Sequence, residues 1–114
     1  EPIISNFPKD IEKIFNDIET ALHPIVPLNN DFQLIIKPKQ EIRLSVGKNE
    51  RGDYLLMANY DDELLKFSSP CSGIFEYYFN KDSNQWLCIT DNHDIRGLLT
   101  RDLLKHCIGC PIFP

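Results

Sequence analysis

The sequence predicts an α+β fold in which one helix, a run of short antiparallel strands and a second helix follow each other. Apolar residues lie three and four apart near both ends of the chain, and apolar and polar residues alternate between them. The links between strands are too short for crossover helices, so neighbouring strands should pair antiparallel. Both helices should bury their apolar faces on one side of the sheet. We expect a single domain over residues 1–114, a two-layer sandwich with five to seven strands.

The opening helix is predicted over residues 9–23. Its apolar positions follow helical spacing at Ile11, Ile14, Phe15, Ile18 and Leu22. Pro8 suits the first turn of a helix, and Pro24 should end it. A connection rich in proline and asparagine is expected over residues 23–30.

Period-two patterns and turn-forming residues predict six strands, and helical spacing returns after them. The strands are expected at residues 32–36, 41–46, 54–58, 64–67, 74–79 and 85–90. A closing helix should follow over residues 95–107. Side-chain oxygens in residues 91–94 could cap its first turn, and Gly109 and Pro111 should end it.

Composition and charge narrow the function classes. The 114 residues carry a formal net charge of −5, with 42% hydrophobic and 25% charged residues. An acidic chain lacks the clustered lysine and arginine that nucleic-acid binding needs. No apolar run is long enough to span a bilayer. We therefore expect neither nucleic acid nor a membrane as a partner. The negative charge fits a cation or a basic partner, or solubility alone.

The cysteines do not form the pattern of a secreted disulfide framework. Cys71, Cys88, Cys107 and Cys110 are few and scattered, which favours a reducing compartment. Cys88 lies in an apolar strand and is interpreted as a small buried hydrophobe. The segment from His106 to Cys110 supplies at most three zinc ligands, a weak indication of a zinc site. It trails a helix, which does not fit a thioredoxin-like motif.

Several short motifs occur in the order and spacing of a known family. They are Gly52-x-Tyr54-Leu55-Leu56, Phe67-Ser68-Ser69-Pro70-x-Ser72-Gly73, Trp86, and Asp94 followed by Leu98-Leu99 and Leu103. Together they resemble the frataxin family over nearly the whole chain. This resemblance implies the same fold, with both helices on one face of an antiparallel sheet.

The chain also departs from the pattern of that family. Lys66 stands where the family carries an exposed Trp that contacts the cluster scaffold protein. Residues 57–59 replace the family's Asn-Lys-Gln. Lys13 and Asn16 thin the acidic ridge of the first helix. The sequence is therefore interpreted as a divergent member.

The resemblance implies an accessory role in iron–sulfur cluster assembly. Frataxins bind the cysteine desulfurase and the scaffold protein, and they bind iron weakly through exposed carboxylates. The corresponding metal candidates here are Asp10, Glu12, Asp17, Glu19 and Asp31. The alternative for these residues is a solvated helix face. The denser acidic triplet at residues 61–63 is interpreted as a solvated turn.

The outer face of the sheet is the expected partner-binding surface, with Asn59, Lys66 and Trp86 as candidates. Trp86 could equally be an aromatic packed within the sheet. The resemblance implies a monomer in the mitochondrial matrix or a related organelle, or in the cytoplasm of a bacterium. Because the sequence starts at Glu1 rather than Met, we expect that an upstream segment, such as a targeting segment, has been removed.

Two other functions stay open. The chain could be an interaction module on the same fold, an accessory subunit of a larger mitochondrial complex without an iron role. It could also be an iron oxidase, an activity proposed for some members of the family. Oxygen consumption with ferrous iron above the buffer rate would be required for the latter.

Overall fold

A computed structural model of the protein describes residues 6–29, 32–45, 53–70, 72–106, 109 and 111–113. Its elements are α1 (Phe7–Leu22), a 3-10 helix (His23–Leu28), β1 (Gln33–Lys37), β2 (Glu41–Ser45), β3 (Tyr54–Asn59), β4 (Leu64–Ser69), β5 (Gly73–Asn80), β6 (Gln85–Cys88) and α2 (Ile95–His106). The strands form one sheet in the order β1-β2-β3-β4-β5-β6. Every neighbouring pair is antiparallel. The predicted order of elements and the antiparallel pairing are confirmed.

Most element boundaries differ from the prediction by one or two residues, and two of the differences have a clear physical reason. Residues 23–28, expected as an irregular connection, form a 3-10 helix that contains two prolines. The fixed φ of proline is compatible with this conformation, so proline ends the α-helix without ending helical structure. Strand β6 stops at Cys88 because the chain turns there, and the Asn92 N–H donates to the Cys88 carbonyl at 2.9 Å. Val46 and Cys107, predicted in β2 and α2, lie outside the described residues.

Both helices cover the same face of the sheet. Helix α1 buries its predicted apolar stripe, and α2 buries residues spaced three and four apart. These side chains join the inward-facing residues of β2 to β6 in one hydrophobic core. The inward positions alternate along each strand, as in β4, where Leu65 and Phe67 are fully buried and Lys66 is exposed. The two-layer sandwich is confirmed.

A buried carboxylate of α2 is hydrogen-bonded to the β4–β5 turn. Asp102, which is 2% exposed, accepts hydrogen bonds from the Ser69 hydroxyl at 2.6 Å and the Ser72 hydroxyl at 2.9 Å. The Ser72 N–H donates to the Ser69 Oγ at 3.0 Å, which shapes the turn. Gly73 then has φ 100°, a conformation that favours glycine. The Ser-Ser-Pro-x-Ser-Gly motif therefore connects the sheet to the closing helix.

The start of α2 is capped as predicted. Asp94 Oδ1 accepts a hydrogen bond from the Arg96 backbone N–H at 3.1 Å, the contact of an N-cap residue. Among the described residues, no helix combines the length and the apolar character needed to cross a membrane.

Candidate functional site

The sheet face opposite the helices is open and carries rows of side chains that run across the strands. One row is mainly apolar and joins Ile35, Arg43, Leu55, Ser68 and Ile74. Ile35 is 48% exposed and Ile74 is 65% exposed. Exposed apolar side chains grouped on one face are typical of an interaction surface. We call this side of the sheet the open face.

A second row on the open face alternates in charge. It contains Lys37, Glu41, Met57, Lys66 and Glu76, each directly opposite the next in register. Lys66 is exposed and lies between Met57, 43% exposed, and Glu76. Lys66 therefore presents a positive charge beside an apolar side chain on the open face, and its role in partner binding stays a prediction.

Asn59 also lies on the open face, at the end of β3, but its amide is already used by the following turn. Its Oδ1 accepts from the N–H groups of Asp61 and Asp62, at 3.1 and 3.2 Å. Its Nδ2 donates to the Asp62 carboxylate. Asn59 thus shapes the edge of the open face, and the acidic triplet that follows lies in an exposed turn, as predicted.

Trp86 does not lie on the open face. It is 2% exposed and belongs to the core between sheet and helices. Its ring makes an edge contact with Phe7 of α1, with centroids 5.9 Å apart, and a tilted contact with Phe79 of β5 at 5.4 Å. The assignment of Trp86 to the partner surface is wrong, because the alternation of β6 turns this side chain inward.

The acidic residues of α1 divide between two flanks of the helix. Asp10 and Asp17, seven residues apart, line a small groove with Arg96 of α2. Asp17 Oδ2 is 3.0 Å from Arg96 Nη2, and the Asp17 side chain is only 16% exposed. Asp17 therefore pairs with α2 instead of facing solvent alone.

Glu12 and Glu19 lie on exposed positions of α1, also seven residues apart. The Glu12 carboxylate is 3.5 Å from Lys39 Nζ, in the β1–β2 turn, and both side chains are more than half exposed. An exposed pair of this kind holds its partners only weakly. Asp31 lies outside the described residues. The α1 candidates thus form a dispersed surface patch, and none belongs to the compact donor cluster found among the described residues.

That compact cluster lies where β6 leads into α2, and it was not predicted. The ligand atoms of Cys88, Asp91 and His93 lie within 4.8 Å of one another. The His93 ring is fixed at both nitrogens: Nδ1 is 2.5 Å from Asp91 Oδ1, and Nε2 is 2.6 Å from the Tyr77 hydroxyl. We call these four residues the junction cluster. Three of them, Cys88, Asp91 and His93, have a signal in the sequence, the spacing Cys-x-x-Asp-x-His.

Electrostatics in the junction cluster follow from burial and hydrogen bonding. Burial, and then the neighbouring Cys88 and Asp91, raise the pKa of the Tyr77 hydroxyl well above its usual value, so Tyr77 stays neutral. The backbone N–H and then the ring of His93 donate hydrogen bonds that lower the pKa of the Asp91 carboxyl. The cluster therefore holds an ionised carboxylate next to an imidazole and a thiol.

The segment over residues 106–110, which the sequence indicates only weakly as a zinc site, stays a prediction. Cys71, Cys107 and Cys110 lie outside the described residues, so no structural statement follows for them. Their expected properties stay predictions.

Fold and surface together define a class of small α+β protein in which two helices cover one face of an antiparallel sheet and the other face is open. A model of the frataxin-like domain family matches residues 4–109. The chain belongs to the frataxin-like family, and the resemblance predicted from the sequence is confirmed. A search of curated proteins gives no match.

Solved frataxin structures share the fold at low sequence identity. A frataxin from Psychromonas ingrahamii, studied as a model of stability modulation within the CyaY family, matches with a TM-score of 0.74 and 11% identity, over 96% of this chain and 95% of that chain. Trimeric frataxin from the yeast Saccharomyces cerevisiae matches with a TM-score of 0.73 and 13% identity, over 93% and 82% of the two chains. Trimeric yeast frataxin complexed with ferrous iron matches with a TM-score of 0.63 and 14% identity, over 96% and 91%.

Proposed function

We propose that this protein is an accessory factor of iron–sulfur cluster assembly that binds a cysteine desulfurase and cluster scaffold complex and carries iron weakly. The observation that carries the proposal is membership of the frataxin-like family over residues 4–109, together with an open face on the matching fold. The protein would act as a monomer, in the mitochondrial matrix or a related organelle, or in the cytoplasm of a bacterium.

The open face is the proposed docking surface. Its exposed Ile35, Met57 and Ile74 provide apolar area, and the surrounding charges provide orientation. Lys66 extends from the centre of this face, since β4 lies between β3 and β5. An acidic group on the partner is therefore the natural contact for Lys66. Asn59 contributes by holding the turn at the edge of the face.

Binding to the complex can be tested with charge reversals on two lysines. Lys66→Glu should weaken co-purification with the desulfurase–scaffold complex and reduce the change in desulfurase turnover. Lys81→Glu is the matched control, because Lys81 is exposed in the β5–β6 turn, away from the open face. If the unmodified protein neither binds the complex nor alters its turnover, the proposed function fails. Equal effects of both reversals would contradict docking through the open face.

Iron is proposed to bind as cargo at the carboxylates of α1, which are Asp10, Glu12, Asp17 and Glu19 and which we call the α1 patch. Exposed carboxylates are hard oxygen ligands that suit ferrous and ferric iron, and ligands spread over a surface release the ion readily. Glu12 and Glu19 are the most accessible of the candidates on α1. Asp10 and Asp31 are further candidates. Asp17 should contribute least because it pairs with Arg96.

Iron titration of two double variants tests this patch. Glu12→Gln with Glu19→Gln should weaken ferrous iron binding measured by calorimetry under anaerobic conditions. Asp61→Asn with Asp62→Asn removes the same charge from an exposed turn and should leave binding unchanged. Unchanged affinity in the α1 variant would contradict the patch.

An interaction module without an iron role is the second candidate. The observation that favours it is that two of the α1 carboxylates already have cationic partners, Lys39 and Arg96. This candidate predicts that the protein neither binds the desulfurase–scaffold complex nor alters its turnover, and that its iron affinity equals that of the Glu12/Glu19 variant. Oxygen consumption with ferrous iron at the buffer rate would exclude an oxidase role.

A further inference from the structure

We propose that Cys88, Asp91 and His93 bind one divalent metal ion of the zinc class, at a site separate from the α1 patch. The three ligand atoms already lie within 4.8 Å of one another. In a tetrahedral site with metal–ligand distances of about 2.0–2.3 Å, neighbouring donor atoms lie roughly 3.3–3.8 Å apart. The cluster therefore needs only small side-chain movements to close around an ion. This inference does not depend on the proposed iron function.

The donor set selects the metal. A thiolate and an imidazole are ligands that zinc and cobalt prefer, whereas sites made of carboxylates suit harder ions. On binding, the Cys88 thiol releases its proton to solvent, because the thiolate is the ligand. The thiolate and the Asp91 carboxylate then balance the two positive charges of the ion. Neutral His93 adds a third ligand without charge.

Backbone geometry brings residues 88 and 93 together. The Cys88 N–H donates to the His93 carbonyl and the Asn92 N–H donates to the Cys88 carbonyl, both at 2.9 Å. Asn92 has φ 61°, the left-handed conformation that asparagine tolerates and that folds the segment back. The His93 N–H donates to Asp91 Oδ1 at 3.1 Å. The three ligands are thus placed by one tight loop.

The Tyr77 hydroxyl has the position of an outer-shell partner. Metal-binding histidines usually donate their second ring N–H to an oxygen, which fixes the ring and the tautomer. When the ion binds, the Nδ1 proton that the ring donates to Asp91 in the metal-free protein is exchanged through solvent for a proton on Nε2. The Tyr77 hydroxyl, 2.6 Å from Nε2, accepts that N–H and leaves Nδ1 for the ion. Phe75 packs edge-on against the same ring, with centroids 5.2 Å apart. The imidazole is therefore held in place before any ion arrives.

The site is accessible from solvent, and it has room for a fourth ligand. Cys88 is buried, but the Asp91 side chain is 65% exposed. A pocket of about 350 Å³ lies beside Asp91 and His93 and extends to Arg101 of α2. A water molecule from this pocket would complete the coordination, as in zinc sites with three protein ligands. Asp91 Oδ1 and His93 Nδ1, now 2.5 Å apart, separate by about 1 Å when the ion enters between them.

Cobalt is the probe that distinguishes a metal site from a purely structural hydrogen-bond network. The reduced protein should bind one equivalent of Co²⁺, with a thiolate-to-cobalt charge-transfer band and the visible absorption of tetrahedral cobalt, and Zn²⁺ should displace it. Cys88→Ala should abolish the charge-transfer band. Asp91→Asn should weaken binding by about tenfold or more. Asp82→Asn, a matched charge change in the exposed β5–β6 turn, should have no effect.

Controls separate this site from the other cysteines and from misfolding. Cys107→Ser with Cys110→Ser should keep the charge-transfer band. Because Asp91 is exposed, its substitution should not unfold the protein, and circular dichroism without metal checks this. Absence of the band in the unmodified protein would overturn the proposal. So would a band that survives Cys88→Ala and disappears in the Cys107/Cys110 variant.

Discussion

Replacing the buried carboxylate of Asp102 should destabilise the protein more than any other polar substitution considered for this fold. Asp102 is 2% exposed and accepts hydrogen bonds from the hydroxyls of Ser69 and Ser72. Asp102→Ala removes the acceptor that joins the β4–β5 turn to α2. Both hydroxyls then lose their hydrogen bonds to a charged group in a region with little access to water.

The expected magnitude follows from the number and type of these hydrogen bonds. A hydrogen bond to a charged group contributes about 1.5–3 kcal/mol, so two give roughly 3–6 kcal/mol. Removing the desolvated charge offsets part of this, and we expect Asp102→Ala to lower the free energy of unfolding by about 3–5 kcal/mol. A domain is typically stable by about 5–15 kcal/mol, so the variant should fold marginally. Asp102→Asn keeps one acceptor oxygen and should cost about 1.5–3 kcal/mol.

Urea unfolding followed by the fluorescence of Trp86, the single tryptophan of the chain, measures these changes. Ser68→Ala is the matched control, since Ser68 precedes Ser69 on β4 and points to the open face; it should change stability by less than about 0.5 kcal/mol. In a double-mutant cycle, Ser72→Ala and Asp102→Asn should be non-additive. Additive effects, or an Asp102→Ala variant within about 1 kcal/mol of the parent, would refute this account of the motif.

Two further substitutions test how the helices are held. Gly109 has φ 97°, and a Cβ atom added at this position would lie 3.0 Å from Cγ2 of Ile25. Gly109→Ala should therefore lower the free energy of unfolding by about 1–2 kcal/mol. An unchanged urea midpoint would contradict this. Arg96→Gln breaks the 3.0 Å ion pair with Asp17 between α2 and α1 and should cost about 1–2 kcal/mol at low salt. High salt should reduce the difference in free energy of unfolding between the variant and the parent. If the two proteins melt at the same temperature, Arg96 does not stabilise the contact between the helices.

Periodicity is sufficient to predict the fold because each element repeats one simple pattern. Helix α1 shows five apolar residues at helical spacing, and the strands are too closely connected for any pairing but antiparallel. Periodicity does not assign the face of Trp86. Its neighbour Leu87 is also apolar, so a period of two fits either orientation. The contact with Phe7, 79 residues earlier in the chain, decides the orientation, and no local pattern contains it.

The missed site residues depend on contacts that a linear pattern does not show. The spacing of Asp102 places it on the buried side of α2, but its serine partners are 33 and 30 residues away. The interpretation of Cys88 as a buried hydrophobe agrees with its burial. Its proximity to His93 needs a left-handed residue at Asn92, and the sequence does not predict that conformation.

The surfaces with proposed roles face different directions, and this separation has a functional consequence. The α1 patch belongs to the helical layer, whereas the docking residues belong to the opposite side of the sheet. A partner bound to the open face would therefore leave Glu12 and Glu19 accessible to solvent. Exposed carboxylates exchange their ion readily, so iron could enter or leave while the partner stays bound. The junction cluster differs from the α1 patch in accessibility and in the metal it favours. Its thiol is buried, and its donors favour a zinc-class ion over iron. The three proposed roles, which are docking, iron exchange and binding of a zinc-class ion, would therefore use different side chains.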